Sequence, residues 1–132
     1  MTKEKGFDLS VLDQEDTAVI ELLHPSTGDE IGATVTVYGQ DSDTYRAEAR
    51  KCENRYTEYA KRNRGKMMPA EDREAMDRGK IVKCTKSIDN LIYKGVPLTD
   101  PADVYARFPW IYEQVCQNIV DRGNFIKGSS AK

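Results

Sequence analysis

The sequence predicts an α+β fold: an N-terminal β-hairpin followed by three to four helices, with helix the larger part. Three observations carry this. Two apolar runs, Thr17 to His24 and Ala33 to Tyr38, flank a cluster of turn formers, Pro25-Ser-Thr-Gly-Asp-Glu-Ile-Gly32. From residue 42 onward, apolar residues recur at helical rather than alternating spacing. Glycines and prolines at 65, 69, 95, 97, 101, 109 and 123 cut that helical stretch into pieces.

Each element follows from its residues. Thr17-Ala-Val-Ile-Glu-Leu-Leu-His24 is rich in apolar and β-branched residues, and Ala33-Thr-Val-Thr-Val-Tyr38 alternates at period two. Ala33, Val35 and Val37 therefore face the core, and Thr34, Thr36 and Tyr38 face outward. Two strands alone are marginal in water, so this hairpin needs a helix beneath it or a partner strand along its edge. Gly39 ends the strand. Ser42 is the preferred N-cap of a long helix over 42–64, with Tyr45, Ala49, Cys52, Tyr56 and Tyr59/Ala60 on one face. Asn63 to Gly65 stops it. A second helix is expected over 70–94, opening after Pro69 with Glu71 and Asp72 at its positive end. Its apolar face is Met76, Ile81, Cys84, Ile88, Leu91 and Ile92, with Gly95 just past its end. A loop over 96–101 leads to a short helix from Ala102 to Phe108, capped by Thr99 or Asp100. A last helix over 109–123 carries Trp110, Ile111, Val115 and Ile119, and Phe125-Ile126 folds back on it. Residues 1–15 read as a partly ordered arm anchored by Phe7, Leu9, Val11 and Leu12. Residues 16–126 read as one domain and 127–132 as a flexible tail.

The 132 residues are 39% hydrophobic and 32% charged, a thin core under much solvated surface. Such a chain completes its burial by oligomerising or by gripping a partner. The net charge is -2, but it is unevenly spread. Residues 1–31 hold eight acids against two lysines, and 46–66 hold eight basic residues against three glutamates. Asymmetry of this kind opposes two faces of one fold or steers a partner. Three cysteines, an odd number, and the lack of a secretory signal point to a reducing compartment. No apolar run approaches the ~20 residues of a membrane span.

The residues give little support to catalysis. His24 is the one histidine and sits before Pro25 at a hairpin corner. Cys52, Cys84 and Cys116 lack the close pairing of a metal site and read as core thiols. Phosphate loops and dinucleotide fingerprints are absent, so no cofactor is expected. Glu71, Asp72 and Glu74 are explained by a helix start. In the basic helix, Tyr56 and Tyr59 interleave with Arg55, Lys61 and Arg62, a pattern that suits nucleic acid. The acidic balance and the absence of a helix-turn-helix pattern weigh against that. The expected mode of action is binding to other proteins, without enzymatic activity.

The most distinctive stretch is FPWIYEQVCQNIVDRGNF, Phe108 to Phe125. Its aromatics either complete the core or present an anchor to a partner. This string resembles the C-terminal signature of the tail assembly chaperones of bacteriophages and prophages, in which "pW…eQV…i.dr.nF" follows a Gly-Val/Lys-Pro-Leu loop. Here that loop is Lys94-Gly-Val-Pro-Leu98. AVIELLHPSTGDEIGATVTVYGQDSDTYRAEARKCENR, from Ala18 to Arg55, is similar to the family's strand, turn, "Ga.i.v.g.dS..yr.a" and basic helix. The resemblance runs from Phe7 to Ile126. One departure is that the second helix lacks the family's Trp, the region being Lys83-Cys-Thr-Lys-Ser-Ile-Asp-Asn-Leu91.

The resemblance implies a protein of the host cytoplasm that is absent from the mature virion. It would bind the tape measure protein, keep that long helical chain in solution and help recruit the tail tube protein. A frameshifted longer form of the chain and a homo-oligomer are further partners it implies. A minor tail or connector component of the virion and a nucleic-acid-binding regulator are the alternatives. The contact residues expected are Trp110, Tyr112, Gln114 and Phe125, with Arg50, Arg55 and Arg62 on the basic helix.

Overall fold

The computed structural model describes residues 6–126. The expected tail and the first five residues of the arm lie outside the described residues. The fold is α+β. Strands β1 (Thr17–Leu23) and β2 (Glu30–Tyr38) form the expected antiparallel hairpin. His24 builds its corner: the ring Nδ1 accepts the N–H groups of Ser26 (3.0 Å) and Thr27 (3.1 Å). The Pro25–Gly28 turn is thus tied to the end of β1, a structural use of the one histidine.

Ser42 caps α1 (Asp43–Arg62) through its Oγ, which accepts the Tyr45 N–H at 3.2 Å and donates to the Gly39 carbonyl at 2.7 Å. Asp43 in the first turn and Lys61 and Arg62 in the last complement the helix dipole. The helix stops where Arg64 and Gly65 take positive φ, and the Gly65 N–H returns to the Ala60 carbonyl.

The second helix departs from expectation. Helix α2 runs only over Ala70–Lys83, and Thr85–Asp89 is a third strand, β3, not the continuation of a helix to 94. Thr85, Ser87, Asp89 and Asn90 are poor helix formers, which weakens the helix just where the apolar spacing stays ambiguous. Thr85 Oγ1 donates to the Ile81 carbonyl (2.9 Å), closing the helix end, and accepts from the Tyr105 hydroxyl at 2.6 Å. β3 then pairs antiparallel with β2, Val35 opposite Ile88, giving the sheet order β1-β2-β3. The chain therefore supplies the partner strand that the marginal hairpin required. Gly95 does not end a helix either. It forms with Lys94 the two-residue turn of a small hairpin, β4 (Ile92–Tyr93) and β5 (Val96–Pro97), both turn residues having positive φ.

Asp100 caps α3 (Pro101–Arg107), accepting the Ala102 N–H at 3.1 Å. Helix α4 (Pro109–Ile119) is shorter than the expected 109–123, and a 3₁₀ turn over Arg122–Phe125 follows. The helices cover one face of the sheet. Ile20, Leu22, Val35 and Val37 of the sheet meet Val104 and Tyr105 of α3 and Ile111, Val115 and Ile119 of α4, all buried. Ala33, Val35 and Val37 point inward as the alternation requires. Fully burying a side chain of this size contributes about 1.5–3 kcal/mol, so these few residues supply most of the drive to fold.

The Arg122–Phe125 turn locks the remaining parts together. Arg122 grips Asp41 through two hydrogen bonds, Nε to Oδ2 (2.6 Å) and Nη2 to Oδ1 (3.1 Å), and Gln14 Nε2 donates to the same carboxylate at 3.1 Å. These bonds hold the Asp41 carboxyl below the usual carboxylate range, Arg122 first and Gln14 second. A depressed acid stabilises fully above its unfolded pKa, about 3.9, and its contribution is lost as pH falls through the folded value. We expect an NMR titration of Asp41 to give a midpoint under the ordinary value and Arg122→Ala to move it back up. A midpoint unaffected by Arg122→Ala would refute this tie.

Candidate interaction site

Of the seven contact residues expected from the sequence, the fold uses two internally. Phe125 is 3% exposed and packs against Gly39, so it is a core residue and not a free anchor. The Gly39 backbone passes directly beneath the ring, which leaves no room for a partner there. Gln114 is also committed. Its Nε2 donates to the Leu23 carbonyl at 2.8 Å and its Oε1 accepts the Leu23 N–H at 2.9 Å. The side-chain amide thus satisfies the outer edge of β1 as a neighbouring strand would, blunting an exposed edge. Trp110 and Tyr112 are half-buried against the core, the Tyr112 ring packing at a 53° tilt against Tyr105 with centroids 5.6 Å apart. The QV…DR.NF string that carries the family resemblance is therefore largely a set of structural ties.

The three arginines lie exposed along α1. Arg62 faces Glu58 at 3.9 Å, a loose solvent pair. Arg55 alone joins a larger feature. Helices α1 and α2 leave between them a groove of about 280 Å³, lined by Lys51, Arg55, Lys80 and Lys83, with Glu48 as its one acid. Cys52, Ala75, Met76 and the bare backbone of Gly79 form its floor. A Cβ at Gly79 would meet nothing within 4 Å, so the space beside it is open. Lys51 pairs with Glu48 at 3.3 Å and Lys80 lies over the Tyr45 ring, 5.0 Å from its centroid. Among the described residues no salt bridge engages Arg55 or Lys83.

Two bonds fix the spacing of the groove walls. The Tyr56 hydroxyl donates to Asp77 Oδ1 at 2.8 Å, and the Cys52 thiol lies 3.8 Å from the Met76 carbonyl. The groove is thus preformed, and it joins an apolar floor to a positive rim. That arrangement suits a segment carrying apolar side chains flanked by acids. The sequence signal was present in the spacing, Lys51 and Arg55 at i,i+4 and Met76, Lys80 and Lys83 at i,i+4,i+7. Only the packing of the two helices shows that both stripes face one channel.

A second cleft of about 200 Å³ lies on the other side of Lys80, lined by Tyr45, Asp77, Ile81, Tyr112 and Cys116 among others. Burial pushes the Cys52, Cys84 and Cys116 thiols up, Cys84 to about 11, so they stay protonated at neutral pH. His24, with its Nδ1 held in the hairpin corner, is not placed to activate them. Among the described residues, no three His, Cys, Asp or Glu side chains converge as a metal site, and no helix is long and apolar enough to cross a membrane.

The class that fold and site define is an α+β domain with a basic, apolar-floored groove between two helices. Compared with known proteins, the chain matches no protein-family model, no curated protein and no solved structure.

Proposed function

We propose that this chain is a tail assembly chaperone of a bacteriophage or prophage. It acts in the host cytoplasm without enzymatic activity and is absent from the mature virion. The α1–α2 groove receives an amphipathic, acid-flanked helical segment of the tape measure protein, and tail tube protein is recruited to that complex. The observation that carries this reading is the groove itself. A long helical client exposes an apolar stripe that aggregates unless covered, and a preformed channel with an apolar floor and charged rim covers it in the helix-in-groove mode. The resemblance from Phe7 to Ile126 supplies the identity of the client.

Nucleic acid is the reading that the basic face of α1 favours next. Of the aromatics that would stack on bases, Tyr56 commits its hydroxyl to Asp77 and Tyr59 is half-buried. A virion component is separated from a chaperone by mass spectrometry of purified particles, where a component is found at fixed stoichiometry. The deciding experiment is co-expression with the tape measure protein of the same genome. We expect that protein to become soluble and to co-elute with this chain. Unchanged solubility and no complex would sink the proposal.

A further inference from the structure

The three-stranded sheet has two outer edges, and the chain treats them differently. β3 carries an extra residue: Thr36 stands opposite Ser87 and Val37 opposite Thr85, which leaves Lys86 bulged and exposed. A bulge and an edge lysine both turn other strands away. The other edge is β1, which pairs only with β2. Over Thr17–Glu21 it has no proline and no basic residue, and its register shift comes only after Glu21.

Hydrogen bonds fix which backbone groups of β1 point outward. The Gly39 N–H donates to the Asp16 carbonyl at 2.9 Å, and the His24 N–H to the Asp29 carbonyl at 2.7 Å. Even-numbered residues therefore turn their N–H and C=O groups toward β2, and odd-numbered residues turn theirs to the outer edge. The chain occupies that edge at both ends. The Glu15 N–H donates to the Phe125 carbonyl (2.7 Å), beside the antiparallel Gln14–Ile126 bridge, and Leu23 is taken by Gln114. Between these ties, Thr17, Val19 and Glu21 meet no hydrogen-bond partner on the outer side among the described residues. Glu15 to Leu23 spans about 27 Å at 3.4 Å per residue, and the open slot, Thr17 to Glu21, about 14 Å. Val19, in its middle, is 59% exposed.

We propose that this slot is a strand-addition site, which binds an extended segment of another protein antiparallel to β1. Outward N–H and C=O groups at every second residue recognise an extended backbone. The free length holds about five residues. The antiparallel sense follows the Gln14–Ile126 bridge, the pairing already in place on this edge. The neighbouring side chains set the composition. On the open face of the sheet, a lysine or arginine belongs opposite Glu21 and a β-branched residue opposite Val19. Glu15 and Asp16 at the other end favour further positive charge. On the core face, α4 stands against β1 where Gln114 reaches Leu23, so the alternate residues of the segment must be small. The slot shares no residue with the α1–α2 groove and does not depend on the client assigned there.

The probe is the blocked peptide acetyl-Lys-Ser-Val-Ser-Thr-amide, titrated against the whole chain to about 5 mM, above a dissociation constant of about 1 mM. Amide NMR and hydrogen exchange read it out. We expect the Val19 and Glu21 amides of the free protein to exchange at least roughly tenfold faster than those of Ala18 and Ile20. The peptide should shift the Val19 and Glu21 amides and slow their exchange. N-methylation of the peptide valine, whose N–H faces Val19, should abolish these changes. N-methylation of either serine, whose N–H faces away, should not. Glu21→Lys should weaken the parent peptide about two- to fivefold, and a peptide with Glu in place of its Lys should recover that loss. Val19→Pro removes an outward N–H and no ladder bond, and should leave the peptide unbound. Should that variant fail to fold, the methylated peptides make the same test on the wild-type chain. Unmoved β1 amides, or a methylated-valine peptide that binds like the parent, would overturn the proposal. So would Val19 and Glu21 amides already protected in the free protein. Protection independent of protein concentration would give the slot to the chain itself, and protection that grows with concentration would give it to a second copy.

Discussion

Replacing Phe125 with Ala is expected to destabilise the protein by about 3–5 kcal/mol, the usual cost of truncating a fully buried phenylalanine. Against a total of roughly 5–15 kcal/mol for a domain of this kind, that is a large share. The site explains the size. Phe125 is clamped over Gly39, where a Cβ would stand 3.0 Å from two of its ring carbons. The ring joins the end of β2 to the turn that holds Arg122 against Asp41. Gly39→Ala alone should also destabilise, by about 1–3 kcal/mol, because the ring must shift to admit a methyl group. In a Phe125→Leu background that penalty should shrink, since the clashing ring is gone. Urea unfolding of the two single variants and the double variant measures the coupling. A Phe125→Ala protein of unchanged stability that binds partners poorly would contradict the packing and return Phe125 to the surface.

This cluster also shows what could be read from the sequence. The hairpin, its inward residues Ala33, Val35 and Val37, the Ser42 cap and the stop at Asn63 to Gly65 were legible because each rests on local chemistry: a period, a capping hydroxyl, a residue that tolerates positive φ. Strand β3 was not. Ile88, Leu91 and Ile92 fit a helical face, and only pairing with β2 decides that 85–89 extends. The weak helix formers Thr85, Ser87 and Asp89 were the available warning. Gly95 reads as the residue just past a helix end, but the positive φ that suits a glycine there suits a two-residue hairpin turn equally. Gln114 and Phe125 stand out by pattern, and the pattern alone points to contacts. Their partners, Leu23 and Gly39, lie far away in sequence, so nothing local separated a structural tie from a binding residue. The groove is half legible, since the basic run on α1 points to Arg55, while nothing local marks Lys80 and Lys83 as facing the same channel.

The second large effect concerns binding. Lys51→Glu/Arg55→Glu/Lys83→Glu should weaken capture of the tape measure protein by at least roughly a hundredfold. Placing like charges against one another across an interface costs several kcal/mol, whereas removing one exposed pair costs little. The reversed residues are solvent-exposed on the groove rim, so the fold should survive, and a circular dichroism melt checks that. Arg50→Glu/Arg62→Glu supplies the control. It changes two charges on the same helix, outside the groove. If the groove is the docking channel, the control should shift affinity by only a few-fold, mainly through encounter rate, and the shift should vanish in salt. Equal losses from both variants would mean that the client reads the net charge of α1 and not the channel. A loss confined to the groove variant would place the client between α1 and α2.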